Sequence, residues 1–565
     1  MQKTVTIIVL LLILLPAGKH ITAQQIDIPR ISEMPNLPEP YVMRDWKQVA
    51  LGYDSLVFNP GASGIHLPLT AIHNNTVNFP DQQSFYQQTF VGQPLENRNE
   101  SINSMMGIIG ATLCGVDKSD QDGINWVLMM QEFFNRENGQ NIYGNKVGQK
   151  TGNDWWYEII PNVLFYQLYS LHPDEGNFAE QFITVADRWL EVIYALGAST
   201  DPWNPPDMNY RAFFLETMEP LLGSVPEPGA SGALAWLFYN AWGETGEEKY
   251  RTGAELCMDF FSGWEENPAY ELQYLYGTII AARMNAETGS NYDLEKLMNW
   301  CFDVGTLRRW EHTLGWGMVV GNWNGMDVSG IGAAISKPGN TEWGDYAFLM
   351  NSFQQAGILT PVVRYDDRYA RAMGKYLLNM ANSARIFYPN YLPPENQDGY
   401  AWSQKYDPNS YIAYEAVRQY KDGKSPFATG DAVMSGWAPT NHSLYSSSPV
   451  GYLGGILEKT NVEKILKFDL LKTDFFHGPA YPSYLLYNPF NETKTIIFEA
   501  GNKPVDIYDA VTNTVICKNT TVSTPLSIPA DNALVAVIIP AGAELSMQGN
   551  KTVCNGISID YTGNK

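Results

Sequence analysis

Between about residues 100 and 460 the apolar residues recur with the spacing of amphipathic helices, in twelve successive stretches. The i, i+3, i+4 pattern is clearest at Phe182, Val185, Trp189 and Ile193. The predicted helices begin near residues 101, 123, 154, 178, 229, 247, 268, 292, 343, 367, 409 and 446. A chain with this pattern has to bury the apolar stripes of many helices against one another.

Short turns between the predicted helices indicate that the helices are paired. The turns are Glu244-Thr245-Gly246, Glu287-Thr288-Gly289 and Arg364-Tyr365-Asp366-Asp367. Each is suited to join two antiparallel helices. Repeated hairpins with apolar faces on both sides bury those faces when they stack around a ring. The sequence therefore predicts a ring of helical hairpins over residues 100–460.

The rest of the chain has a different pattern. Residues 24–99 are rich in Pro, Asn and Gln and predict an irregular N-terminal arm. After residue 460 the apolar period changes to two, with strands expected at 493–499, 505–510 and 533–539. Residues 461–565 therefore predict a C-terminal antiparallel β-sandwich domain. Cys517 and Cys554 lie in this domain and are candidates for a disulfide.

The N-terminus has the features of a cleavable export signal. Lys3 is followed by an apolar run over residues 7–15 and by a small residue, Ala23, at the expected cut. The apolar run is too short to cross a bilayer, and no later segment is long enough. We therefore predict a signal peptide over residues 1–23, no membrane insertion, and a secreted or periplasmic protein.

The net charge and the aromatic content indicate which kinds of molecule the chain binds. A net charge of −23 argues against nucleic acid and anionic membranes, although a local Arg cluster could still bind an acidic sugar. Aromatic residues make up 13% of the chain, and flat aromatic faces suit pyranose rings. The predicted partner is a polysaccharide or oligosaccharide, and the oligomeric state is unknown. The five cysteines lack metal-ligand spacing, so neither a metal nor a cofactor is predicted.

Paired helices followed by a β-rich tail resemble the (α/α)6 toroid superfamily, which includes six-hairpin glycosidases and polysaccharide lyases. The resemblance covers residues 100–545 and implies a mainly α fold with a C-terminal β-sandwich. One local match is sharper: residues 153–161 (NDWWYEIIP) resemble the Asn-Trp-Trp-x-x-Glu-Ile segment of hyaluronate and chondroitin lyases. There the Asn, matched by Asn153, neutralises the substrate carboxylate. Asp154 stands where those lyases have Trp, and their His and Tyr motif is not recognisable downstream.

Catalytic residues are expected in the loops at one mouth of the ring. Glycoside hydrolysis needs one protonated and one ionised carboxyl, and burial against Trp can raise the pKa of the acid. The predicted catalytic residues are Asp154, Glu158, Glu271 and Asp327. Glu227 begins a helix in the same way as Glu271 and is a further candidate. Each of these helix-start residues could equally serve only as a cap or as a dipole-favoured acid.

Substrate-binding residues are predicted from four segments rich in polar and aromatic side chains. They are Asn153, Trp155, Trp156, His312, Trp323, Tyr400, Trp402, Tyr406, Asn441, His442 and Tyr445. Trp and Tyr would stack on sugar rings, and Asn and His would bind hydroxyls. The structural alternative is core packing for the aromatic residues and helix capping or structural hydrogen bonds for the polar ones.

Three functions are compatible with these residues. The leading hypothesis is a glycoside hydrolase that uses a carboxyl pair. The second is a polysaccharide lyase, with Asn153, Arg308 or Arg309 as neutraliser and a His–Tyr pair from His312 or His442 and Tyr406 or Tyr445. The third is a non-catalytic glycan-binding protein. No Gly-x-Ser-x-Gly, His-Glu-x-x-His or P-loop motif indicates another chemistry.

Overall fold

A computed structural model describes residues 24–97, 99–307 and 312–563, so the predicted signal peptide and Arg308 and Arg309 lie outside the described residues. The α-helices are α1 (Pro29–Ser32), α2 (Trp46–Val57), α3 (Ser101–Leu113), α4 (Trp126–Met129), α5 (Trp155–Leu171), α6 (Phe178–Ala195), α7 (Ala230–Thr245), α8 (Glu248–Gly263), α9 (Gln273–Glu287), α10 (Leu294–Phe302), α11 (Leu349–Leu359), α12 (Val362–Tyr365), α13 (Ala370–Ser383), α14 (Tyr400–Tyr406), α15 (Leu444–Ser447) and α16 (Val450–Ile456).

Six helices form a closed inner ring: α3, α5, α7, α9, α11 and α16. Each contacts the next in this order, and α16 contacts α3. The inner helices are apolar nearly all round, as in ASGALAWLFYNAWGET of α7, which suits burial on every side. Amphipathic helices such as α6 and α8 pack outside the ring, each with an exposed polar face. The predicted helical pattern over residues 100–460 is therefore confirmed in most of its elements.

Two predictions of secondary structure were wrong. The arm expected to be irregular contains α2, which packs on α3 and α16 as an outer helix. Asp45 caps this helix, and Trp46, Val49 and Tyr53 form its buried face, so the helical signal is present in the sequence. The helix expected near residue 409 is absent from the described chain, and a short strand stands at Ala416–Arg418 instead.

Close approach of inner helices depends on glycine. Gly451 of α16 lies against the backbone of Gly110 in α3, where a Cβ atom would overlap the Gly110 carbonyl. We expect Gly451→Ala to lower the free energy of unfolding by about 1–3 kcal/mol, because the two helices have to separate. The matched control is Gly243→Ala on the exposed side of α7, where an added Cβ has open space. It should instead stabilise the chain by about 0.5–1 kcal/mol. Chemical denaturation of both variants checks this difference, and equal effects would contradict it.

Within the described part of the chain the strands form seven sheets, each with antiparallel pairs. They are β1 (Thr70–His73), β2 (Ser84–Gln87), β3 (Ser199–Thr200), β4 (Trp203–Asn204), β5 (Ala212–Phe214), β6 (Glu219–Leu221), β7 (Thr313–Met318), β8 (Asn322–Trp323), β9 (Met326–Asp327), β10 (Gly332–Ser336), β11 (Tyr346–Phe348), β12 (Ala416–Arg418), β13 (Phe427–Thr429), β14 (Leu457–Lys459), β15 (Leu466–Asp469), β16 (Ser483–Asn488), β17 (Lys494–Asp509), β18 (Thr514–Ile528), β19 (Asn532–Pro540), β20 (Leu545–Gln548), β21 (Lys551–Cys554) and β22 (Ile557–Asp560).

The predicted antiparallel β-region at the C-terminus is confirmed. Its main sheet has the order β14-β15-β16-β19-β17-β18, and β20, β21 and β22 form a second sheet. β16 and β19 pack on α13, which fixes the sheet to the helical ring. Cys517 and Cys554 are both free thiols, so the candidate disulfide is not formed. None of the helices within the described ranges is long and apolar enough to cross a membrane.

The segment 471–478, which follows β15, closes one end of the ring. The guanidinium of Arg283, near the end of α9, donates to the carbonyls of Phe475 and Phe476. Asp474 pairs with Arg364 at 2.7 Å. The five-stranded sheet β13-β12-β11-β10-β7 lies at the opposite end, where β11 leads directly into α11. The ring is therefore a cup whose open mouth is at the N-terminal ends of the inner helices.

Candidate active site

Residues at the starts of the inner helices meet at the open mouth. Asp154 caps α5, Glu227 precedes α7 by three residues, and Glu271 precedes α9 by two. We call these three residues the carboxyl cluster. The charges of Asp154 and Glu271 both act on Glu227, which places all three groups in one electrostatic environment.

Arg211 lies at the centre of the carboxyl cluster. Its guanidinium forms ion pairs with Asp154 and Glu227 through different nitrogens. Its backbone carbonyl accepts a hydrogen bond from the N–H of Trp155 at 3.0 Å, which fixes Arg211 to the start of α5. Gln273 donates to the second oxygen of Glu227 at 2.9 Å. Asp154 and Glu227 are thus held in place by one shared cation.

Glu271 is the member of the cluster that no described residue pairs as an ion. The residue as a whole is partly exposed, and its carboxyl is closely surrounded by protein. Burial raises the pKa of Glu271 to about 8, the charge of Asp154 adds to the rise, and Arg211 opposes it. Glu271 therefore carries a proton at neutral pH.

Glu227 is buried more deeply, at 3% exposure. Burial raises its pKa well above the usual value, the charge of Asp154 adds to the rise, and Arg211 lowers it. Three carboxyls around one guanidinium cannot all ionise cheaply in such a site. We therefore expect at least one of the three carboxyls to stay protonated, and negative charge to be favoured on the carboxyls that lie next to Arg211.

Two tyrosines extend the mouth beside Glu271. The indole of Trp156 donates to the Tyr445 hydroxyl at 2.8 Å, which joins the start of α5 to α15. Burial raises the pKa of Tyr157 and of Tyr445, and the charge of Glu100 adds to both rises. Neither tyrosine is therefore prepared to act as a base. The predicted residues Trp156 and Tyr445 do meet at the mouth.

Glu158, predicted as catalytic, is placed away from solvent at 2% exposure. Its carboxylate accepts hydrogen bonds from the backbone N–H groups of Gly152, Asn153, Asp154 and Phe213. Burial raises the pKa of Glu158 to about 7 against these hydrogen bonds. The side chain ties the turn before α5 to the strand after Arg211. It is a positioning residue for the site and does not face the mouth.

Of the predicted residues next to Glu158, Trp155 is buried in the core and Asn153 is exposed. Trp155 is fully buried, packs against Trp189 and Phe213, and donates to the Tyr210 carbonyl, so it is a core residue. The side chain of Asn153 is exposed next to Asp154. The structure thus keeps Asn153 near the mouth and removes Trp155 from it.

The predicted site residues between 312 and 327 do not lie together in the structure. The carboxylate of Asp327 accepts a hydrogen bond from the Glu39 N–H at 2.6 Å, which holds it against the N-terminal segment. Trp323 is buried in the β8–β9 hairpin beside it. No described contact joins Asp327 to Arg211 or to the carboxyl cluster, so we do not include it in the site. His312 is exposed and lines a cleft described below.

The remaining predicted residues form a separate group that links loops. His442 is fully buried and stacked on Tyr414, and burial lowers the pKa of its imidazole to about 4. The indole of Trp402 donates to the Ile65 carbonyl, and Asn441 donates to Asp398.

Tyr400 and Tyr406 lie on α14 with Trp402. A backbone hydrogen bond from Ile65 and the Lys405 ammonium lower the pKa of Tyr406. The described contacts of the His442 ring are with Tyr414, Trp402 and Gly399. None of them joins it to Tyr406 or Tyr445 as an acid–base pair.

An aromatic cleft of about 430 Å³ opens beside Glu271, because the preceding residue, Tyr270, forms part of its wall. Its volume lies in the range of small-ligand sites, about 300–1,000 Å³. Trp316 stacks on Phe348 with ring centroids 4.8 Å apart. The lining residues are Tyr270, His312, Thr313, Trp316, Ala334, Asn340, Trp343, Gly344, Tyr346, Phe348, Arg418, Asp431 and Met434.

Sequence reasoning missed Arg211 and most of the cleft. Tyr346 and Phe348 lie on β11, which leads directly into the inner helix α11, and a position just before an inner helix could have identified them. Arg211 and Arg418 have no comparable local signal. Within the described ranges, no group of three or more His, Cys, Asp or Glu side chains is arranged to hold a metal ion.

Comparison with known proteins gives distant likenesses only. No family model matches the sequence, and no curated protein matches it. A solved structure of a glycoside hydrolase is 9% identical, with a TM-score of 0.37 over 81% of this chain and 77% of that chain. A GH127 β-arabinofuranosidase is 9% identical, with a TM-score of 0.35 over 93% and 84%.

A GH127 β-L-arabinofuranosidase from Geobacillus stearothermophilus T6 is 10% identical, with a TM-score of 0.30 over 92% of this chain and 85% of that chain. At these values the likenesses carry no argument about activity.

Proposed function

We propose that this chain is a glycoside hydrolase in which Glu271 is the general acid and Asp154 supplies the ionised carboxylate. The observation that supports this most directly is that the carboxyls of Asp154 and Glu271 have different electrostatic surroundings. Arg211 is paired with Asp154 and stabilises negative charge there, whereas Glu271 has a pKa of about 8 and keeps its proton. Environments that separate two carboxyls in this way define an acid and its partner.

The roles follow from the chemistry of the glycosidic bond. Glu271 protonates the leaving oxygen, which makes the departing sugar a neutral alcohol. The ring carbon left behind acquires positive charge in an oxocarbenium-like transition state, and the Asp154 carboxylate stabilises that charge. Water supplies the hydroxyl that bonds to this carbon, and the proton released from that water replaces the one that Glu271 gave to the leaving oxygen. The aromatic cleft beside Tyr270 holds neighbouring sugar units through its ring faces.

The architecture is consistent with this role. We propose that the six inner helices and their outer partners form an (α/α)6 toroid, with the site at its open mouth and the substrate an oligosaccharide or polysaccharide. We further propose that residues 1–23 export the protein, which would place it where extended glycans are available.

The test is incubation of the purified protein with a panel of neutral and uronic polysaccharides. Reducing ends and absorbance near 232 nm (the unsaturated-uronate band) are followed together. Hydrolysis predicts new reducing ends without that absorbance. A parallel rise of both signals would replace the proposal with β-elimination, and binding without either signal would favour a glycan-binding protein. The Glu271→Gln protein is the control for contaminating activity.

The pH dependence is a second prediction. Glu271 is active as an acid only when protonated, so kcat/KM should be retained below its pKa and fall as the pH rises through about 8. Initial rates between pH 5 and 10 on any substrate from the panel measure this limb. An alkaline limb centred below pH 6, or none up to pH 10, would contradict the role of Glu271.

A further inference from the structure

One row of side chains crosses the five-stranded sheet at the mouth. Trp316 of β7 pairs with Ala334 of β10, Ala334 with Tyr346 of β11, and Tyr346 with Arg418 of β12. Directly paired residues point to the same face of a sheet. All four line the aromatic cleft. Ala334 is small, so the row has a depression between Trp316 and Tyr346. The indole of Trp316 borders the depression on one side, and the guanidinium of Arg418 follows Tyr346 on the other side.

The guanidinium of Arg418 is fixed but unsatisfied. It lies over the ring of Trp343 at 4.3 Å and over that of Tyr346 at 5.0 Å. Its side chain is 15% exposed, and its Nε is buried without a hydrogen-bond partner. Across the described chain, no acceptor takes a hydrogen bond from any of its nitrogens. The two terminal nitrogens are not buried and donate to no described acceptor, so an acceptor that enters the cleft can reach them.

The neighbouring acids do not fill this role. Among the described residues, Asp431 is the one carboxylate within 4.0 Å of Arg418, and its separation of 3.9 Å is too long for a hydrogen bond. The same Asp431 oxygen instead accepts from the Tyr346 hydroxyl at 2.9 Å. Glu415 is directed to the backbone N–H of Asp431 at 2.7 Å. The planar fork of Arg418 is therefore left for a ligand in the cleft.

We propose that the cleft binds an anionic sugar, and that Arg418 binds the carboxylate or sulfate group which this sugar carries. This deepens the proposed function by naming the class of substrate, and it rests on that function for its link to catalysis. The guanidinium fork matches both anions in two-point hydrogen bonding. In a protein with a net charge of −23, general attraction of anions is absent, so selectivity has to come from this single site.

The experiment measures binding separately from turnover. Tryptophan fluorescence titrations of the full chain use glucuronate and galacturonate, glucose 6-sulfate, and the neutral sugars glucose and galactose. We expect one anionic sugar to bind more tightly than its neutral counterpart. Arg418→Gln should weaken that binding by roughly 10- to 100-fold and leave the neutral sugar unchanged. The choice between uronate and sulfate identifies the source of the anion.

Two further variants make the result specific. Arg418→Lys keeps the charge without the planar fork and should restore part of the preference. Arg251→Gln, on the exposed face of α8, should change nothing. Equal binding of anionic and neutral sugars, a preference that survives Arg418→Gln, or no binding of any probe would each overturn the proposal. Anion binding without hydrolysis of any glycan would instead refute the proposed function and leave this site standing.

Discussion

Replacement of Glu271 by Gln is expected to lower kcat by about 10²- to 10⁴-fold, the usual contribution of general acid catalysis. The amide keeps the shape of the side chain but cannot release a proton to the leaving oxygen. Because Glu271 has no ion pair with any described residue, its removal should leave the fold intact. Initial rates on the preferred glycan, with thermal unfolding as a check of the fold, measure the effect.

A substrate with an activated leaving group separates this role from a binding role. A nitrophenyl glycoside needs little protonation, so its hydrolysis should fall much less in Glu271→Gln than hydrolysis of the natural linkage. Glu265→Gln is the matched control, since Glu265 is exposed on the segment before the site. A drop shared equally by both substrates, or rates that match wild type, would remove Glu271 from the acid role.

Local pattern predicted the helices well because each one carries its own signal. Phe182, Val185, Trp189 and Ile193 are all buried on α6 as the spacing indicated. Gly246, at the end of the first repeated turn, adopts a left-handed conformation (φ 71°) as the C-cap of α7, which glycine favours. The antiparallel strands at the C-terminus were likewise evident from their period of two.

The site was predicted only in part, because its residues are selected by tertiary position. Asp154 and Glu158 begin the same helix and looked equally suitable as catalytic acids. Only the strand after Arg211 decides that Glu158 is covered while Asp154 faces the mouth. The sheet beneath the cleft was not predicted, since β11, β12 and β13 have three residues each and are too short to show a period.

Arg211 is the residue whose loss should affect stability most. We expect Arg211→Gln to lower the free energy of unfolding by about 3–5 kcal/mol, because it leaves two largely buried carboxyls without their shared counter-ion. The side chains of Asp154 and Glu227 are 11% and 3% exposed, so water cannot replace the guanidinium. Denaturant unfolding measures the change. Arg251→Gln, which breaks an exposed pair with Glu255, should cost less than about 1 kcal/mol.

The loss of unfolding free energy in Arg211→Gln should also depend on pH, and the direction of that dependence shows whether an ionised Glu227 causes it. Glu227 has a raised pKa when folded, and loss of Arg211 removes the main influence that lowers it. At low pH Glu227 is protonated in the folded state, so the variant has no buried charge at this position to destabilise it. As the pH rises, Glu227 ionises without a counter-ion, and the destabilisation grows. Destabilisation should therefore be smaller at pH 5 than at pH 8. Adding Glu227→Gln should recover part of the loss at pH 8, because the double variant buries one fewer charge. Equal destabilisation at both pH values, with no recovery, would mean that Arg211 acts through packing alone.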